Sequence, residues 1–370
     1  MKRILFFLFV SCFSWIASKA QFVDIVDINL KNALMLQYPS CFNGAGQMDT
    51  TCSAIVNEDS LIMANQSISQ VDELRYFDHL KHVNLSYNYF VVLNNLPDWI
   101  ESLTLNNNWN NLTSISLPSS LKRLICTNNN QLGGIDNGWP AGLKYLDLSN
   151  NAFVFLSGLP ATLDTLIVPH QIDIFGAMAA QGYDYPKLLS IALPTGLKYL
   201  NCSQNSIPSL TGLPNTLTWL DCSSQYFVVD NGPAGYRQIP KLTQINNLPT
   251  SLTYLKCNNN SLTSLPALPA SLQYLNAGVN SFNIPYDDFN GNTFSYTNPG
   301  ISGIASFPSA ITYINIAYNN ISCLSYIPAG VQTLTAGGNL ITCLPNSLPP
   351  GLVNTDMSAK PLCNPVNNIY

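Results

Sequence analysis

The stretch Leu248 to Leu262 reads Leu-Pro-x-x-Leu-x-x-Leu-x-Cys-x-x-Asn-x-Leu, and the pattern returns along nearly the whole chain at steps of 20 to 22 residues. A period this short holds one small supersecondary unit, which cannot bury its apolar face alone and has to stack on copies of itself. The first apolar residue of each Leu-x-x-Leu marks the units at Leu80, Ile100, Leu121, Leu143, Leu163, Leu197, Leu217, Leu252, Leu272, Ile311, Val331 and Leu352. A looser copy places Leu61, Met63, Gln66 and Ile68 in the corresponding slots, so an array of about 13 units is expected over residues 58–363. Three long steps interrupt it, at 172–187, 226–241 and 281–300. All three enter between the Asn slot and the next Leu and are expected on one edge of the coil. Two close alike, Gly182-Tyr183 before Pro186-Lys187 and Gly235-Tyr236 before Pro240-Lys241, which points to duplication of a two-unit block.

Each slot has a physical reading. In Leu252-x-x-Leu255-x-Cys257 the period of two marks a short strand, with Leu255 and Cys257 inward and Tyr254 and Lys256 exposed outward. The Asn slot (Asn88, Asn108, Asn129, Asn151, Asn205, Asn260, Asn280, Asn319, Asn339, with Gln171 and Gln225) supplies amides that can satisfy backbone groups where the chain leaves the strand. The return limb, as in Leu262-Thr-Ser-Leu265-Pro-Ala-Leu268-Pro269, carries proline and is too short for a multi-turn helix. It is read as extended or polyproline-like.

The L-x-x-L-x-L-x-x-N-x-L core resembles the leucine-rich repeat, in the short 20-residue class of bacterial secreted and surface proteins of the Bacteroidetes type. The resemblance implies a leucine-rich-repeat solenoid, a curved horseshoe with a parallel β-sheet on its concave face and a small helical N-terminal cap. Residues 21–57 are assigned to that cap, with Ile28, Leu30, Leu34 and Leu36 on a short amphipathic helix and another helical turn at Asp72 to Phe77. In such caps the helix is followed by a cysteine-bounded, acidic, calcium-loop-like sequence. Here Asn43 to Asp49 lacks most of the acidic ligands, and no calcium is expected. Lys360-Pro-Leu-Cys363-Asn-Pro resembles the close of such arrays, leaving residues 364–370 as a tail.

Met1-Lys2-Arg3, the apolar run Ile4 to Ile16 and Ala17-Ser-Lys-Ala20 form a secretory signal peptide cleaved near Ala20, with lipid attachment at Cys12 as the alternative. The protein is therefore expected to be secreted or held at the cell surface, and not integral to the membrane. Charged residues are 9% of the chain with a net charge of −5, which excludes the clustered basic stripe that nucleic acid requires. Cys126, Cys202, Cys222 and Cys257 share an inward slot with Leu85, Leu105 and Leu148 and are read as core. Cys41 and Cys52, in the cap of an exported protein, are expected to form a disulfide. Cys323, Cys343 and Cys363 stand 20 residues apart, and one pair among them can bond.

No catalytic motif stands out: G-x-S-x-G, H-E-x-x-H and phosphate-binding glycine loops are all missing from the sequence. Asp147 and Asp221 both point outward, but three strand spacings hold them roughly 14 Å apart, too far for paired acid–base work. No cofactor and no metal is expected: C-x-x-C is missing, and His79, His82 and His170 do not converge with the cysteines. Asp287 to Asn292 reads as an Asn-Gly turn.

The outward columns carry the functional signal. Tyr145, Tyr199, Trp219, Tyr254, Tyr274 and Tyr313 stand in the first column, and Asp147, Asn201, Asp221, Lys256, Asn276 and Asn315 in the second. Aromatic rows beside directional hydrogen-bonding groups are the chemistry of a groove for a protein or glycan ligand, although tyrosines also pack well across strands for purely structural reasons. The expectation is a non-catalytic binding protein that works through its concave face. Two rivals differ in class. One is a structural spacer of a larger surface protein, whose relatives continue into further modules and a sorting domain. The other is the repeat part of a secreted effector ubiquitin ligase, which needs a catalytic domain with a nucleophilic cysteine beyond the array; the sequence ends seven residues past Cys363.

Overall fold

The computed structural model describes residues 21–108, 112–172, 186, 188–232, 235–288 and 291–363. The expected leader, Tyr183 with most of the first insertion, and the tail after Cys363 lie outside the described residues. Thirteen short strands, from Ser60–Ile62 to Asn354–Thr355, form one parallel sheet in which strands adjacent in space are consecutive in the array. The register never slips: Tyr254 faces Tyr274, Leu255 faces Leu275 and Lys256 faces Asn276. Constant unit length dictates this, because a slip of one residue would turn the buried column outward.

The central strand residue and the one just past the strand are buried in almost every unit, Leu255 and Cys257 among them. Cys126, Cys202, Cys222 and Cys257 are fully buried free thiols. Burial pushes the Cys126 thiol up to about 12, so at neutral pH it stays protonated and acts as a small apolar side chain.

The Asn column is internal. Asn151 donates from Nδ2 to the carbonyls of Cys126 (2.6 Å) and Leu148 (2.7 Å), and its Oδ1 accepts the N–H of Asn129 (3.0 Å). Each amide thus ties its own turn to the preceding unit, a pattern repeated at Asn205, Asn260 and Asn319. The residue before each of these takes a left-handed backbone, with φ of 56° at Asn150 and Gln204, 54° at Asn259 and 53° at Tyr318. Asn tolerates that region well, whereas β-branched Val279 at φ 57° is held there against its preference.

On the convex side the chain is extended and makes three short parallel pairs, such as Phe155–Leu156 with Ser190–Ile191. Between the limbs, the hydroxyls of Thr162, Thr216, Ser251 and Ser271 each lie within hydrogen-bond distance of two carbonyls of the preceding unit, which share the one hydroxyl proton. These residues sit directly before the marker Leu, so the P-x-[ST]-L signature stitches unit to unit.

The cap helix runs Ile28–Gln37. Only Leu30 and Leu34 of the four expected apolar residues are buried; Ile28 and Leu36 are 61% and 86% exposed. The reason is angular: each lies two residues, or about 200°, from its inward neighbour at 3.6 residues per turn. Asp27 caps the helix, accepting from the N–H groups of Asn29 and Leu30 with Oδ1 and from Ser69 and Gln70 with Oδ2. The 3-10 turn Asp72–Tyr76 brings buried Glu73 to the N–H of Val26. Cys41 and Cys52 are bonded. In the loop between them, Asn43 accepts from the amides of Ala45 and Gln47, so the polar groups there serve the turn itself. At the far end Cys343 bonds Cys363, leaving Cys323 as an exposed free thiol.

Candidate binding face

Five of the six aromatic residues singled out from the sequence form one continuous stack. Ring centroids are 4.0 Å apart for Tyr199 and Trp219, 4.7 Å for Trp219 and Tyr254, 4.2 Å for Tyr254 and Tyr274 and 4.3 Å for Tyr274 and Tyr313, with planes within 10° of parallel. The spacing is that of the strands, about 4.8 Å, so the sheet imposes it. The rings consequently cover one another's faces, and all of them are half-buried where the sequence predicts exposure. What they offer outward is a row of edges and hydroxyls. Tyr145 does not join: Thr165 separates it from Tyr199, and Arg123 lies over its other face with the guanidinium carbon 3.8 Å from the ring centre.

Burial raises the phenols of Tyr199, Tyr254, Tyr274 and Tyr313 above their ordinary value. They are therefore neutral hydroxyls at any physiological pH, and those of Tyr254, Tyr274 and Tyr313 hydrogen-bond along the row, with Asn276 also bonded to Tyr274.

The second column has a structural duty that the sequence reading missed. Asp147 Oδ1 accepts the N–H (3.0 Å) and hydroxyl (2.6 Å) of Ser149, Asn201 Oδ1 accepts both groups of Ser203, and Asp221 Oδ1 both groups of Ser223. Asn315 accepts the N–H of Ala317, and Asn276 that of Gly278. These are Asx turns that steer the chain out of the strand. The recurrent Asx-x-Ser spacing, as in Asp147-Leu-Ser149 and Asp221-Cys-Ser223, carried that signal. One oxygen of each side chain is committed to its turn, which leaves a second polar atom for the concave surface at Asp147, Asn201 and Asn315.

Asp221 departs furthest from expectation. It is buried, 5% exposed, because Lys256 folds over it with Nζ 2.9 Å from Oδ2 while Ser223 occupies Oδ1. Both of its oxygens are spoken for, so it positions Lys256 and does not itself present a carboxylate to a ligand. Lys256 stays half-buried on the strand of Tyr254, in the column beside the aromatic row, with its ammonium paired to Asp221.

Among the described residues the decorated edge holds two antiparallel hairpins, Tyr226–Asp230 with Tyr236–Pro240 and Phe282–Asp287 with Thr293–Asn298. They lean on each other through an edge-to-face contact of Phe227 and Tyr296 at 5.4 Å and through the N–H of Asp287 donating to Asn231. Between them lies a cleft of about 290 Å³ walled by Tyr226, Pro240, Phe282 and Ile284 over Ser224, Asn259 and Val279. Among the described residues, no cluster of three or more His, Cys, Asp or Glu is placed to hold a metal ion. No described helix is long and apolar enough to cross a membrane.

Comparison with known proteins agrees with this architecture. The FNIP Repeat family matches residues 80–126 and the Leucine Rich Repeat family residues 142–166, both beginning at or one residue before a marker Leu. Human oligodendrocyte-myelin glycoprotein is 29% identical over 183 residues, 46% of this chain and 39% of that protein. YopM from Yersinia enterocolitica WA-314 superposes with a TM-score of 0.61 at 26% identity, over 80% of this chain and 55% of that one. YopM from Yersinia pestis, described as a leucine-rich effector protein, gives 0.59 at 22% identity over 90% and 83% of the two chains, a likeness of fold. The chain thus spans about two fifths of the human glycoprotein and about half of the first YopM. The fold is a leucine-rich-repeat solenoid.

Proposed function

We propose that this protein is an exported, non-catalytic binding module that takes a protein or glycan ligand on its concave face, along the row from Tyr199 to Tyr313. The observation that carries the reading is the five-ring stack, with the Lys256–Asp221 pair in the column beside it. The stack gives a rigid line of neutral hydroxyls and ring edges. Beside it run the uncommitted amide groups of Asn201 and Asn315. Rigid aromatic anchors lose little entropy on binding, which is why they dominate interface energetics. A ligand rich in hydrogen-bond acceptors suits the row better than a purely apolar one, because the edges and hydroxyls face out and the ring faces do not.

Export is supported by the leader sequence and by two disulfides, which persist in oxidising compartments. Screening the mature protein on glycan and surface-protein arrays, followed by the same screen on a Trp219→Ala, Tyr254→Ala, Tyr274→Ala variant, tests the reading. Binding that persists unchanged in that variant removes the concave face as the site. The cleft between the hairpins, walled by Tyr226, Pro240, Phe282 and Ile284, is the second candidate. A Tyr226→Ala, Phe282→Ala variant that alone loses binding would move the site there.

A further inference from the structure

The aromatic column has one vacant rung. Strand by strand it runs Arg123, Tyr145, Thr165, Tyr199, Trp219, and the register places Thr165 opposite both Tyr145 and Tyr199. Everywhere from Tyr199 to Tyr313 each ring is covered by the next at 4.0 to 4.7 Å. At Thr165 the side chain is short, and its hydroxyl is turned to Asp164, donating to Oδ1 at 2.9 Å. The Tyr145 and Tyr199 strands are two spacings apart, roughly 9.6 Å, so a ring inserted midway lies about 4.8 Å from each. That is the separation the protein's own rings already adopt.

We propose, building on the concave-face reading, that the slot over Thr165 between Tyr145 and Tyr199 binds a single saccharide ring of a glycan ligand. Both walls are aromatic faces, and they are the two that the stack leaves open at this end, the far side of Tyr145 being taken by Arg123. A pyranose presents C–H groups from its faces and hydroxyls from its rim, and the slot matches both. On the rim side the second column reads Asp147, Ile167, Asn201. Ser149 and Ser203 engage only Oδ1 of the Asp and the Asn, which leaves Asp147 Oδ2 as an acceptor and Asn201 Nδ2 as a donor.

The test fills the rung. Saturation-transfer NMR on the mature chain uses the methyl glycosides of glucose, galactose, mannose and N-acetylglucosamine as probes, with N-acetyltyrosinamide as the aromatic alternative. At least one glycoside should receive saturation through its ring C–H protons. That transfer should fall at least tenfold in Thr165→Tyr, which completes the stack, and persist in Thr165→Val, which keeps the shape of the floor. Tyr145→Leu, which removes a wall without adding bulk, should give the same loss should Thr165→Tyr fold poorly. Transfer to no glycoside, transfer unaffected by Thr165→Tyr and Tyr145→Leu, or transfer to N-acetyltyrosinamide alone each overturns the assignment. An array ligand lost in Trp219→Ala but retained in Thr165→Tyr would sink the slot while sparing the concave face; one retained in both would sink the two together.

Discussion

Two columns cross the same sheet, the buried amides from Asn88 to Asn319 and the outward rings from Tyr199 to Tyr313, and they are held by opposite means. An amide in the first column bonds the backbone of its own unit and of the one before, in a region without water to replace a lost partner. A ring in the second column touches chiefly other rings, at a spacing set by the strands, with one edge in solvent. The lesson is that a repeated residue is not by that fact a structural one. The buried column is constrained by unsatisfied backbone groups, whereas the ring column could have been built from Thr, as it is at Thr165 and Thr333, without breaking the sheet.

The sharpest contrast in stability should come from Asn205→Leu. It strands the carbonyl of Val168 and the N–H of Gln171 in the interior, at about 1–3 kcal/mol each, while Gln225 still donates to the Cys202 carbonyl, and a loss of ~2 kcal/mol or more is expected by urea denaturation. A loss below 1 kcal/mol would remove the distinction between the columns. Trp219→Ala deletes two stacked pairs worth ~0.5–1.5 kcal/mol each, so a loss of about 1–3 kcal/mol should accompany any loss of binding. This departs from the simpler expectation that outward strand residues leave the fold untouched. If the melting temperature does not move, the rings are not stacked in solution.

Asp27→Ala, in the cap and outside both columns, should cost ~1–2 kcal/mol as the loss of a helix N-cap. Burial alone would raise the Asp27 carboxyl, but hydrogen bonds from Ser69, Leu30 and Asn29 outweigh it and hold the group below its ordinary value. Its contribution is therefore complete above about pH 4, the unfolded value, and is lost as pH falls through the lower folded value. Acid unfolding of the variant should lack that component; identical acid profiles would place the cap's pH sensitivity elsewhere.

The smallest effect on stability should come from Tyr254→Phe, Tyr274→Phe and Tyr313→Phe together. The stack survives and the change should stay within about 0.5 kcal/mol at neutral pH, while ligand affinity falls at least tenfold if the hydroxyl row is the contact. The same variant tests the titration. The folded phenols are raised, so their stabilisation is full below about pH 10 and declines as pH climbs from there through the folded value. Melting curves of the parent should drop in that range, and those of the triple variant should drop less.

Much of the architecture was legible beforehand, because a constant unit length admits one register. The inward position of Leu255 and Cys257 and the amide column follow from alternation and from the chemistry of a turn. The binding face was legible only as a list of residue types. Asp221 reads outward by parity, yet Lys256 on the next strand covers it, and those two residues lie 35 positions apart across an insertion. Asp147 and Asn201 read as ligand contacts, yet each spends an oxygen on the amide two residues on. The cap helix shows the same limit in reverse, with Ile28 and Leu36 apolar but turned to solvent.

By itself, then, the sequence determined the period, and with it the parallel sheet, the parity of every strand and the buried amides, since these are local consequences of spacing repeated along the chain. Which ring faces remain open, which carboxylates remain free, where a rung is vacant and how the two hairpins close a cleft were decided only by the tertiary structure. Those depend on what the neighbouring strand, 20 to 39 residues away, places alongside.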